Sequence, residues 1–262
     1  MGSPHEVNNI KSFYTSDDYI VKNPSIHEED TPWKLSKILP LVDAYMKAHV
    51  GSELRLLDIG GGAGLILKGV AEYIERKFSV RVRKYAMDLS PGMLSIQQEN
   101  NPDMTAVFLG DICETTLPDN EFDLTLMIDV LEHVPQPELA LRQLRRISKF
   151  VIYKVPLELN LLMASMDLIT LGKTRRKRVE QIGHINIYYA GSLLRQLGKY
   201  GGHPLVHAYT NAYEYTNGDT VNFSRMNLPF KLISRFCEKA YKFAPWLSAL
   251  ISQDFLVVLV KS

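Results

Sequence analysis

Cysteine is scarce: the 262 residues hold two, Cys113 and Cys237, with no CxxC pair and no cysteine–histidine spacing. That excludes a disulfide-stapled scaffold and a structural zinc motif; reduced thiols in a cytoplasmic protein are expected, with no metal site. Charge imbalance is missing too. Thirty Lys and Arg stand against 29 Asp and Glu, a net charge of +1, so no global field draws the chain to nucleic acid or an anionic membrane. No stretch reaches the ~18 to 20 consecutive apolar residues that span a bilayer. The opening residues, MGSPHEV, resemble an expression scar and lack the apolar core of a signal peptide. Internal repeats and low-complexity tracts are absent as well. What remains is an ordinary globular composition, 46% hydrophobic and 23% charged. Its length suits one α/β domain with appended lid segments.

Residues 1–30 are polar and end in NPSIHEEDTPWK, where two prolines interrupt regular structure. From Trp33 to His49 apolar residues recur at helical spacing, with Pro40 as a break or kink. Strands and helices then alternate. Strands are expected at 54–59, 82–89, 105–112, 122–130 and 150–157, and helices at 65–78, 90–100 and 137–149. Ser90 and Pro91 suit an N-cap and a first helical position. Such alternation implies parallel pairing in a doubly wound, Rossmann-like sheet. Past Leu157 the pattern loosens. A helical insertion is expected at 159–182, a short helix at 190–201, a strand after it, and a helical segment over about 229–252. The last stretch, DFLVVLVKS, reads as a buried, antiparallel seventh strand. The whole is one domain: cap 1–50, core 51–157, and lid insertions at 158–190 and 210–250.

LLDIGGGAGLIL, residues 56–67, places four glycines in five positions between a strand and a helix. Glycine removes the Cβ atoms that hold a ligand away, and the helix N-terminus offers free N–H groups. GxGxG alone is also compatible with a ligand-free turn. A dinucleotide fold would place a third glycine where Leu65 stands. Asp88 follows at the end of the second strand, where a carboxylate can accept both ribose hydroxyls of an adenosine, or merely cap a helix. Asp111, in LGDI, can receive an adenine amino group with the Ile112 N–H beside it, or be a solvated turn residue. Asp58, Asp88, Asp111 and Asp129 recur at four successive strand ends, a weakly acidic rim that suits a cationic adenosine compound better than a pyrophosphate.

In order and spacing, LLDIGGGAG, AMDLS, FLGDI and FDLTLMIDVLEHVPQP resemble the signature regions of class I S-adenosylmethionine-dependent methyltransferases, the type 11-like group. The resemblance covers about residues 52–157. It implies that Asp58 and the loop of Gly60, Gly61, Gly62 and Gly64 surround the methionine moiety. It also implies Asp88 and Leu89 at the ribose, Asp111 and Ile112 at the adenine, and Asp129, Val130 and His133 on the sulfonium side. Met93 falls near the adenosine, although a helix methionine is more often core.

Methyl transfer asks the enzyme to hold an acceptor lone pair opposite the S–CH₃ bond in a closed site. A hydroxyl acceptor also benefits from a base, commonly histidine. His184, in GHINIYY, is the first candidate for a base or acceptor contact, against a satisfied lid histidine. His133 is a second candidate, with a structural role ahead of a basic one. His27 is a third, in the N-terminal segment. There Trp33 could cover the cofactor and Lys34 meet its carboxylate, unless Trp33 is simply core.

The run KTRRKR (173–178) lacks aromatic interleaving and reads as a solvated helix face ahead of a site for an anionic or phosphorylated acceptor; no nucleic acid is expected. The helix over 228–251 is amphipathic, with packing on the sheet or on a second subunit favoured over a membrane surface. The N-terminal string resembles a subgroup tied to bacterial glycan and natural-product pathways. The expectation is therefore methylation of a small molecule or glycan precursor, at oxygen ahead of nitrogen or carbon. N-methylation of an amino sugar, or a cofactor-binding subunit without catalysis, stays open.

Overall fold

Strand burial and helix amphipathicity resolve into one seven-stranded sheet in the computed structural model, which describes residues 28–218, 223–224 and 226–262. The strands are β1 (Glu53–Ile59), β2 (Arg81–Asp88), β3 (Ala106–Leu109), β4 (Leu124–Ile128), β5 (Phe150–Leu157), β6 (His203–Tyr209) and β7 (Asp254–Lys261). They lie in the order β3-β2-β1-β4-β5-β7-β6. β1 to β5 pair in parallel, while β7 is antiparallel to both β5 and β6. This is the Rossmann-like sheet expected from the sequence.

The two-residue period of β1 sets the layers. Leu56 and Leu57 are both fully buried, yet they belong to opposite faces. Leu56 packs with α1 (Thr31–Met46) and α2 (Leu65–Phe78), through Ile38, Leu41, Leu67 and Ile74. Leu57 packs with α4 (Pro137–Ile147) and α7 (Ala190–Gln196), through Leu141, Leu144 and Leu193. Between them along the chain lies α3 (Pro91–Asn100), whose N-cap Ser90 accepts the Met93 N–H at 3.1 Å, as its sequence suggested. Each fully buried Leu contributes roughly 1.5–3 kcal/mol. The continuous apolar runs of β1 and β4 are what sheet faces covered on both sides require.

Several boundaries move. α1 continues through Pro40, which stays inside the helix. β3 stops at Leu109, because Asp111 turns the chain and its side chain caps a short turn at Ile112–Glu114. Asp111 and Ile112 therefore lie past the strand. The insertion after β5 is two helices, α5 (Leu161–Ile169) and α6 (Lys173–Ile182), divided at Leu171 and Gly172, both at positive φ. After α8 (Ala212–Gly218), the C-terminal helical stretch is likewise split, into α9 (Leu228–Phe243) and α10 (Pro245–Ile251), because Pro245 cannot continue the first. The sheet does not take up the apolar face of α9. Ser234 and Cys237 are buried, while Leu228, Phe236 and Phe243 remain exposed. Both cysteines are free and buried. Among the described residues, no helix is long and apolar enough to cross a membrane.

Candidate active site

The parallel strands direct their carboxyl ends to one edge, where a cleft of about 1010 Å³, including its mouth, opens between the loops after β1, β2, β3 and β4. Gly60 leaves β1 at φ 63° and donates its N–H to Met87 O of β2 at 2.9 Å. A Cβ there would sit 2.9 Å from Val130 Cγ2, so glycine lets the β1 and β4 loops meet. Gly61 is tighter still: its Cβ would fall 2.1 Å from Asp58 Oδ2. The loop is also held from α3, a bracing that the sequence reading missed. Asn100 Nδ2 donates to Ala63 O at 2.9 Å, and Asn101 Nδ2 to Gly64 O at 3.1 Å. Two side-chain amides thus fix the backbone that opens α2. Their signal was the pair of asparagines closing α3.

Gly60, Gly62, Asp88, Leu89, Met93, Asp111, Ile112, Asp129, Val130 and His133 line the cleft. So do Ile59, Met87, Gly110, Val134 and Pro135, together with Ser90, which the sequence marks only as a helix cap. Asp58 lies beneath the glycine loop, 1% exposed, and its Oδ2 has no hydrogen-bond partner. Burial, and then the charge of Asp88, push its carboxyl up to about 7. Asp88 stands at the cleft wall. Its Oδ1 accepts the Ser90 N–H at 2.9 Å, and its Oδ2 accepts from Gln97 Nε2 at 3.4 Å. Burial raises this carboxyl to about 6, against the lowering effect of the Ser90 and Leu89 N–H groups. Asp111 accepts the Cys113 N–H at 2.9 Å.

On the β4 side the wall is a network. Asp129 has φ 55°, which turns its side chain back toward β5. Lys154, fully buried on β5, places Nζ 2.5 and 2.7 Å from the two Asp129 carboxylate oxygens. Lys34 Nζ adds a contact to Asp129 Oδ2 at 3.2 Å and another to Asp30 at 3.0 Å. Burial alone would raise the Asp129 carboxyl, but Lys154 and Lys34 outweigh it and hold it ionised. The Lys154 ammonium also lies 3.5 Å from the Phe255 ring centre and 5.5 Å from that of Trp33. Lys34 thus braces Asp129 and Trp33 flanks Lys154, and neither is among the residues that line the cleft.

His184 is brought to His133 by the segment after α6, which is stitched to the turn after β4. Ile185 N–H and Asn186 N–H both donate to Glu132 O at 3.0 Å, and Asn186 Nδ2 donates to Leu131 O and Val134 O. The two imidazoles lie edge to face, 4.8 Å between ring centres. His133 Nδ1 is 3.1 Å from Gly183 O, and His184 Nδ1 is 2.8 Å from Glu158 Oε1. Arg178 Nη1 reaches the same Glu158 oxygen at 2.6 Å. Burial, and then the neighbouring His184, lower His133 to about 4, so its ring is neutral at physiological pH. Burial, with Asp129 nearby, raises Glu132 well above the usual carboxylate range. Lys154, Glu132 and Glu158 were not identified from sequence, and Arg178 was read only as part of the basic run KTRRKR. A lysine inside an apolar strand and a glutamate at that strand's end were the available signals. His27 lies outside the described residues.

The chain resembles known proteins over this region. Residues 57–149 match the family model described as a methyltransferase domain. An uncharacterized methyltransferase of Schizosaccharomyces pombe is 30% identical over 110 residues, which span 40% of this chain and 40% of that relative. Among solved structures, the [4+2]-cyclase SpnF aligns over 85% of this chain and 80% of its own, with 15% identity and a TM-score of 0.53. Haemonchus contortus phosphoethanolamine N-methyltransferase 2, bound to phosphomonomethylethanolamine and S-adenosylhomocysteine, aligns over 84% of this chain and 51% of its own, with 16% identity and a TM-score of 0.53. At these identities the structural likeness establishes the fold.

Proposed function

We propose that the chain, whose residues 57–149 match a methyltransferase-domain family model, is a class I S-adenosylmethionine-dependent methyltransferase that methylates an oxygen of a small-molecule or glycan-precursor acceptor. The residues at the cleft fit the cofactor. The glycine loop leaves no side chain between β1 and the cleft, Asp88 presents a carboxylate at its wall, and a buried acid beneath the loop suits a cationic ligand. When bound, S-adenosylmethionine supplies a methyl carbon activated by a positive sulfur. Asp88 would accept from the ribose hydroxyls, Asp111 and Ile112 would meet the adenine, and Asp129, Val130 and His133 would face the reacting end.

The observation that carries the oxygen reading is the Glu158–His184–His133 arrangement beside that end. With Nδ1–H donated to Glu158, the His184 Nε2 lone pair can take a proton from an acceptor hydroxyl. Glu158 stabilises the resulting imidazolium, as a carboxylate does behind a general-base histidine. His184 would thereby leave the acceptor oxygen with a lone pair aimed at the methyl carbon, opposite the sulfur that would depart with the C–S electron pair. Holding these partners in line supplies roughly 7–11 kcal/mol at best.

Exposed Lys173, Arg175, Arg176 and Lys177 near this segment support an anionic or phosphorylated acceptor. One structural neighbour is bound to a phosphorylated small molecule. A second copy of the chain is a candidate partner for the open face of α9, and a cytoplasmic location fits the free, buried thiols. The test is calorimetry with S-adenosylhomocysteine, then a screen of sugar phosphates and phenols for release of that product. No cofactor binding overturns the reading. Turnover confined to amines moves the transfer to nitrogen.

A further inference from the structure

α9 is mounted the reverse way round from a core helix. At about 100° per residue, Ser234, Cys237 and Tyr241 share one side. That side faces the protein. Ser234 and Cys237 are buried, Ser234 Oγ donates to Asn217 Oδ1 at 2.8 Å, and the Tyr241 hydroxyl donates to Tyr209 O of β6 at 2.6 Å. Leu228, Leu232, Phe236 and Phe243 fall within about a quarter turn on the opposite side. All four are exposed, Phe243 to 91%. Lys231, Arg235, Lys239 and Lys242 recur beside them and overlap the stripe, the last three exposed. We infer that this face docks the chain on an anionic lipid bilayer, with the apolar stripe at the boundary of headgroups and acyl chains and the cations among the lipid phosphates.

An apolar stripe flanked by lysine and arginine is the pattern of a helix that lies in a membrane interface. The long basic side chains can bury their stems against lipid while their charges stay at the headgroups. The chain's net charge of +1 conceals a local excess. Within α9 only Glu238 opposes the four cations, and its carboxylate is occupied by Asn217 Nδ2 at 2.6 Å. The neighbouring helix continues the surface: α10 packs on both α9 and α5, and Trp246 at its start is exposed. Tryptophan suits such a boundary, where one end of the ring system is apolar and the other wet. α5 adds exposed Leu168 and Ile169.

Charge separates the bilayer from the rival occupant, a second copy of the chain. A two-fold contact through this face would set its four cations against their own images, and like charges facing each other across an interface oppose association. An anionic leaflet meets the same cations with opposite charge and the stripe with hydrocarbon.

The test is co-sedimentation of the full chain with phosphatidylcholine vesicles, with and without about 30% phosphatidylserine. Binding to the anionic vesicles is expected, with far less to the neutral ones, and added salt should weaken it by screening. Each cation near an anionic leaflet strengthens binding roughly fivefold, so Lys239→Glu with Lys242→Glu should lower the partition coefficient by roughly tenfold or more. Phe236→Ser with Phe243→Ser should lower it comparably by removing the apolar anchor. These side chains are exposed, so both variants should melt with the wild type. No binding to the anionic vesicles overturns the inference, as does unchanged binding by both variants. A wild-type dimer in sedimentation velocity that either variant returns to monomer gives the face to a second copy instead. Docking needs no chemistry in the cleft. A chain that binds S-adenosylhomocysteine but not vesicles removes the docking face alone, and the reverse removes the methyltransferase reading alone.

Discussion

Lys154 and Asp129 form a buried ion pair across the β4–β5 boundary, with Nζ within 2.5 and 2.7 Å of the two carboxylate oxygens. The pair fixes the loop that carries Val130 and His133 into the cleft. Removing one member leaves the other charged and desolvated, which costs about 3–5 kcal/mol. Lys154→Met should therefore lower unfolding stability by about that much in urea titrations, with Lys34 moderating the loss. Lys154→Met with Asp129→Asn should recover part of it. A single variant within 0.5 kcal/mol of the wild type would show that the pair does not hold this loop.

The carboxyl of Asp88 titrates at about 6 in the free protein, raised by burial. Accepting from two hydroxyls requires the ionised form, so bound ligand should depress that value. The sign follows: affinity is complete above about pH 6 and is lost as the pH falls below it. The dissociation constant for S-adenosylhomocysteine should rise toward tenfold per pH unit between about 6 and 5. Asp88→Asn should bind weakly and without this slope. Calorimetry across that range decides, and a flat wild-type profile would remove Asp88 from the ribose.

The sheet and the cleft at its carboxyl edge were legible in the sequence because their signals are local. The helix at 65–78 and the strand at 150–157 appear with the boundaries read from apolar periodicity. Gly60, Asp88, Asp111 and Val130 meet at one cleft because parallel strands bring their carboxyl ends together. What stayed hidden depends on contacts distant in the chain. Lys154 looks like a strand interruption until Asp129 lies beside it. Glu158 gains meaning only when His184 and Arg178 reach it across the insertion. Trp33 and Lys34 lie beside the Lys154–Asp129 pair because α1 packs against β5 and β7, a placement that no local pattern in the chain announces.

Two glycines separate steric from binding effects. A methyl group at Gly61 meets Asp58 Oδ2 at 2.1 Å, and Asp58 is too buried to retreat. Gly61→Ala should cost about 1–3 kcal/mol of stability as an overpacked site, with loss of cofactor affinity. Gly110 also lines the cleft, but a Cβ there meets no protein atom within 4 Å. Gly110→Ala should melt within a degree or two of the wild type, so any loss of S-adenosylhomocysteine affinity would come from the ligand side. Equal melting temperatures for the two variants would contradict this geometry.

The basic run divides along its helix. Arg175 and Arg176 of α6 are exposed, whereas Arg178 turns inward to Glu158 at 2.6 Å and to Gln253 Oε1 at 3.2 Å. Glu158 is 4% exposed, so deleting the Arg178 guanidinium leaves a nearly buried carboxylate with only His184. Arg178→Ala should cost about 1–3 kcal/mol in unfolding experiments and slow acceptor turnover, while cofactor affinity stays at the wild-type level. Arg175→Ala with Arg176→Ala should leave stability within about 0.5 kcal/mol and raise KM for an anionic acceptor, with a smaller change in kcat. A mobility-shift assay gives the opposing outcome. If the chain binds RNA or DNA in a salt-sensitive manner that this double variant abolishes, the outward arginines serve a nucleic acid and the small-molecule reading falls.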